Sequence, residues 1–156
     1  MRLCDILTVD RIVIDGDGGF VRGKSDALRV LSELLAPALH VEKARLEEHL
    51  VERERLQSTG IGDGVAIPHT ALEEAEKQTG ALLLCPRGVD FDAIDGAPVN
   101  IVFGVVGPKR DTGEHLRTLA RISRLLRDEN TRQSLISAAS SEFAYQLIEA
   151  RDGQAR

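Results

Sequence analysis

The sequence predicts an α/β (α+β) fold, a single three-layer domain in which a mixed β-sheet is flanked by helices on both faces. Three observations carry this reading. The 156 residues suit one ordinary domain, and an apolar share of 42% supplies its core. Gly80–Cys85 and Val99–Val106 are aliphatic runs bounded by prolines at 86, 98 and 108, the mark of buried strands. Around them, leucines and alanines recur at helical spacing, so helices and strands interleave in one unit.

In chain order, Arg11–Ile14 is a short β-like run followed by the glycine- and aspartate-rich stretch 15–19. A calcium loop needs an oxygen ligand at its fifth position and glycine at its sixth. Gly19 and Phe20 stand there, so the stretch is a turn. Ser25 caps a helix whose apolar face is Ala27, Leu28, Leu31, Leu34, Leu35 and Ala38, and Pro37 closes it. A second helix spans about 42–56, with Leu46 and Leu50 inward and charge elsewhere. Residues 57–64 cannot continue it, and Val65–Ile67 forms a strand stopped by Pro68.

After the two long strands, Asp111 and Glu114 form a capping box for a helix over about 113–128, buried through Leu116, Leu119, Ile122, Leu125 and Leu126. Asn130 with Gln133 opens a short helix to about Ala138. A last one, about 141–150, presents Phe143, Leu147 and Ile148. Residues 1–151 are read as the domain and 152–156 as a C-terminal tail.

Composition excludes more than it assigns. Twenty-five acidic against 20 basic residues leave a net charge of −5, which offers no nucleic-acid surface. One Tyr, four Phe and no Trp supply few stacking platforms. No segment approaches the ~20 apolar residues of a membrane span, and no signal peptide is evident, so a cytoplasmic protein without membrane insertion is expected. Cys4 and Cys85 read as reduced thiols, the second buried.

Of the histidines, His40 and His49 fall at surface-like helices, and no HExxH or Cys/His spacing marks a metal site; no metal or cofactor is called for. His69 has unusual surroundings. It follows Pro68 after the alternating glycines Gly60, Gly62 and Gly64, which can bring backbone amides close to an anion. The order helix–loop–strand excludes a Rossmann loop, and no Gly-Lys-Ser/Thr completes a Walker loop. A histidine that accepts a phosphoryl group needs a neutral ring, an arginine fork for the oxygens and further donors beside them. Arg53 or Arg55, the glycine loop and His115 could provide these.

The stretch from Glu52 to His69, with Arg53-Glu54, Ser58-Thr59-Gly60-Ile61-Gly62, Gly64 and Pro68-His69, closely resembles the signature of type-2 IIA components of the bacterial phosphotransferase system. Phe91–Val99 and Glu114-His115-Leu116 with Leu119-Ala120 resemble two further family blocks, and the likeness spans about residues 3–150. The resemblance implies a phosphohistidine carrier. His69 would accept the phosphoryl group from a small histidine-phosphorylated carrier protein, Arg53 would clamp its oxygens and His115 would bond to it. Thr59, Gly60 and Gly62 are secondary candidates for orienting the phosphate. The chain most resembles the free-standing nitrogen-regulatory subgroup, whose members act on regulatory target proteins through their phosphorylation state. The alternatives are a mannitol- or fructose-type component passing phosphate to a separate IIB, and a regulatory module that only binds partners.

Overall fold

The computed structural model describes residues 1–153, so the last three residues of the segment read as a tail lie outside it. Three β-strands first define the sheet: β1 (Ile12–Ile14), β5 (Thr79–Val89) and β6 (Val99–Pro108). Three short ones complete it: β2 (Gly60–Gly62), β3 (Val65–Ala66) and β4 (His69–Leu72). The order is β1-β5-β6-β3-β2, with β4 also on β6. β1 runs parallel to β5, β5 antiparallel to β6, and β3 and β4 parallel to β6, which makes the sheet mixed.

Side chains alternate across the long strands and build two cores. On one face Ala81, Leu83, Cys85, Val102 and Val106 meet α1 (Lys24–Leu39) and α2 (Lys43–Leu56) through Leu28, Leu31, Leu35, Leu46 and Leu50. On the other, Leu82, Leu84, Ile101, Phe103 and Val105 meet α3 (Thr112–Leu126), α4 (Glu129–Ile136) and α5 (Ser141–Arg151) through Ile122, Leu125, Leu126, Leu135 and Ile148. The three layers expected from the sequence are present. Buried Cys85 has its thiol pushed up to about 12 by desolvation, with Asp15 adding to it, which leaves it protonated and inert.

Local expectations shift where non-local contacts intervene. Gly23, not Ser25, caps α1, and the helix passes Pro37 to end at His40, which takes a left-handed conformation. β5 continues through Pro86 because the β5–β6 ladder is irregular between Leu84 and Val89. There Asn100 Nδ2 donates to the carbonyls of Cys85 and Pro86. Asp111 caps α3 as expected, but α4 is capped by Asp128 rather than Asn130, since only Arg127 and Asp128 separate the two helices. Leu116 and Phe143, read as apolar-face residues, are 61% and 51% exposed. Asp152 is buried after α5, accepting from the Leu3 amide at 2.7 Å and pairing with Arg121 at 2.7 Å.

Candidate functional site

The site forms where β6 changes partner. Val65 and Ala66 lie against Ile101 and Val102, and His69–Leu72 against Val105–Pro108, so two short strands share one edge of β6 with Ile67-Pro68 between them. Val105 donates its amide to the Pro68 carbonyl, and Ile67 donates to Thr59. Proline has no N–H to continue the β3 ladder. His69 thereby starts a strand instead of trailing one, a pairing that a local reading of Pro-His cannot reveal. Its Nδ1 lies 2.7 Å from the Ile67 carbonyl oxygen. A carbonyl only accepts, so the proton sits on Nδ1 and the lone pair on Nε2 is free.

His115, in the first turn of α3, brings its ring to 5.8 Å from that of His69, with the planes tilted by 53°. Its Nδ1 is 2.8 Å from Oε1 of Gln78, a buried side chain just ahead of β5. Both rings are held below the usual histidine range. For His69 burial dominates, the Ile67 bond opposes it, and the Arg53 charge lowers it further while Glu54 raises it. For His115 burial dominates and His69 adds to it. Both are therefore neutral near pH 7, as a nitrogen nucleophile requires.

Arg53 sits at the end of α2, where its Nη1 donates to the Gln57 carbonyl at 3.2 Å, close enough for its charge to act on His69. Arg55 instead lines a separate cavity of about 660 Å³ with Lys24, Leu28 and Val51. Glu54, between the two arginines, is buried. Its carboxylate accepts from the Thr59 amide at 2.9 Å and hydroxyl at 2.6 Å, and pairs with Lys24 at 3.0 Å. Glu54 thus ties the end of α2 to the glycine loop.

Both donors of Thr59 are spent on Glu54, and the Gly60 amide donates to Ser58 Oγ at 3.1 Å. Their part in the site is therefore to shape the loop. A Cβ on Gly60 would stand 2.9 Å from Ala93, and Gly62 has φ +100°, so the close approach and the turn both need glycine. Ile94 donates its amide to the Gly60 carbonyl, which places the β5–β6 connection beside the loop. Ile61, Ile94 and Leu116 are exposed here at 46%, 73% and 61%. Among the described residues, no three His, Cys, Asp or Glu side chains gather as a metal would require.

Glu54, Gln78 and Ile67 were not foreseen. Glu54 had a signal, since Leu46, Leu50 and Glu54 follow one another at four-residue spacing and a carboxylate on a buried stripe calls for partners. Gln78 and the Ile67 carbonyl had none, because their roles depend on strand pairing.

Residues 6–151 match the family described as the phosphoenolpyruvate-dependent sugar phosphotransferase system, EIIA 2. A nitrogen regulatory protein of Pseudomonas aeruginosa is 38% identical over 156 residues, 99% of each chain. A fructose-specific EIIA component of Haloferax volcanii is 33% identical over 126 residues, covering 80% of this chain and 82% of the relative. The crystal structure of nitrogen regulatory protein IIA-Ntr from Neisseria meningitidis superposes with a TM-score of 0.86 at 33% identity, covering 94% and 98% of the two chains. The arrangement of short strands that delivers His69 to α3 is thus carried by a chain that belongs to the type-2 EIIA family of the phosphotransferase system.

Proposed function

We propose that this protein is a phosphohistidine carrier that takes a phosphoryl group onto Nε2 of His69 from a small histidine-phosphorylated carrier protein, and that its phosphorylation state regulates partner proteins. The observation that carries this reading is the Nδ1–H of His69 committed to Ile67, which leaves Nε2 as the nucleophile. The Nε2 lone pair attacks phosphorus as the donor's P–N bond breaks, and that electron pair returns to the donor's ring nitrogen. The phosphorylated His69 ring keeps its Nδ1 proton and a positive charge, which the Ile67 carbonyl stabilises. Arg53 supplies a planar fork for the phosphoryl oxygens, and catalysis consists of positioning and charge stabilisation. Exposed Ile61, Ile94 and Leu116 offer an apolar rim on which a protein donor can dock.

The nitrogen-type relatives favour a regulatory role, while the fructose-specific relative keeps the sugar reading as the second. Incubation with the phosphorylated carrier should give an acid-labile, alkali-stable label that is lost in His69→Ala; label surviving in that variant refutes the site. Offering the labelled protein a sugar-type IIB separates the two roles, because efficient transfer to the IIB cysteine contradicts the regulatory reading. Among the described residues no helix is long and apolar enough to cross a membrane.

A further inference from the structure

Gln78 is a buried amide with half its bonding capacity unused. It is 4% exposed, its Oε1 faces Nδ1 of His115 at 2.8 Å, and its Nε2 is buried with no partner among the described residues. An orphaned buried donor costs on the order of 1–3 kcal/mol, which an apolar residue of similar size would avoid. The space for it is built. An ideal Cβ at Gly107 would overlap the carboxamide, so β6 omits a side chain where the amide lies against its backbone. The contact with His115 is what this costly placement provides.

We infer that Gln78 is a positioning residue that sets the protonation geometry of His115: its carbonyl oxygen holds the single proton of the neutral ring on Nδ1. Nε2 of His115 then faces a phosphoryl group as a bare lone pair, and becomes a donor only when the ring takes a second proton. This rests on the reading that His69 carries the phosphoryl group. The arriving dianion draws one proton from solvent onto Nε2 of His115, and the resulting imidazolium bonds Gln78 with one N–H and a phosphoryl oxygen with the other. When the phosphoryl group leaves, that proton returns to solvent. His115 is thus a clamp that closes with proton uptake, and Gln78 selects that mode.

The charged groups around the ring are compatible with this. His69 faces it from β4, with Arg53 and Glu54 behind on α2, where Glu54 is neutralised by Lys24. On α3, Asp111 caps the Glu114 amide and Glu114 pairs with Arg117 at 3.2 Å. Glu76 and Lys77 precede Gln78, and Arg110 binds the carbonyls of Ala75 and Glu76. None of these was found to bond either ring nitrogen of His115.

The test is long-range proton–nitrogen NMR on the nitrogen-15-labelled full chain, unphosphorylated, across the histidine titration range. The expected wild-type spectrum shows neutral His115 with its proton on Nδ1, the minor form of free histidine. Gln78→Leu should release the ring to the Nε2–H form. Gly107→Ala, which displaces the amide without touching His115, should do the same. Gln78→Glu should raise the His115 midpoint by about 1–2 pH units, since a carboxylate favours the charged ring. A wild-type His115 protonated on Nε2, or a tautomer and midpoint unchanged in Gln78→Leu, overturns the inference. Because no phosphoryl group is present, this outcome is independent of the His69 label. In the phosphorylated wild type, His115 should be doubly protonated at a pH where the free protein is neutral; a His115 that stays neutral there also overturns it.

Discussion

Glu54 accepts both the amide and the hydroxyl of Thr59, at 2.9 and 2.6 Å, while its carboxylate is also paired with Lys24 at 3.0 Å. One buried carboxylate thereby anchors the loop that leads to His69. Glu54→Ala leaves two Thr59 donors unanswered and the Lys24 ammonium with exposed Asp92, at 3.4 Å, as its remaining partner. The expected loss is about 3 kcal/mol, the low end for breaking a buried pair because Lys24 keeps some solvent. Urea unfolding measures it, and Glu54→Gln, which retains an acceptor, should lose less.

Arg53 acts on His69 through charge. Burial is the larger cause of the depressed His69 value, and Arg53 adds to it. In Arg53→Ala the His69 NMR titration should move upward. Arg53→Lys keeps the charge but loses the two-pronged geometry, so the His69 midpoint should stay near wild type while phosphorylation slows by about tenfold or more. Unchanged phosphorylation kinetics in Arg53→Lys would remove it from the clamp.

Acid sensitivity follows from the two depressed histidines. Above the unfolded value of about 6.5, both rings are neutral in both states and contribute no pH dependence. As the pH falls through that value, the unfolded chain binds protons that the fold resists, so stability drops until the folded values are passed. The melting temperature should therefore fall between neutrality and about pH 5, above the range in which carboxylates titrate. A His69→Gln/His115→Gln double variant should be flatter in that window; equal slopes would contradict the burial argument.

Leu116, next to His115 in the chain, and Ile94, whose amide bonds the Gly60 carbonyl, are both exposed. If they form the rim on which the donor docks, Leu116→Asp and Ile94→Asp should each raise the KM for the phosphorylated carrier about tenfold, the equivalent of ~1.4 kcal/mol. Steady-state phosphorylation with varied donor separates this from a change in kcat. Folding should be unaffected, since neither side chain contributes to the core.

How much of this was legible depended on the range of the interaction. The layered fold, the two long strands and the Asp111 cap follow from periodicity and local chemistry, which need only a few neighbouring residues. The Gly-rich signature likewise marked His69 and Arg53 as candidates, because family likeness is written along the chain. β4 was not legible, since nothing in His-Thr-Ala-Leu announces that β6 will accept it as a second partner beyond β3. Nor was the course of β5 past Pro86, which depends on a break in the ladder with β6.

The sequence by itself determined an interleaved α/β domain with a solitary histidine behind a glycine loop, because burial patterns and turn residues act locally. Only the tertiary structure decided that His115 stands across from His69, that Ile67 claims one nitrogen of His69, and that Gln78 claims one of His115. These relations join α3, β4 and the turn before β5, segments distant in sequence that meet because β4 and β5 both pair with β6 and α3 packs beside them.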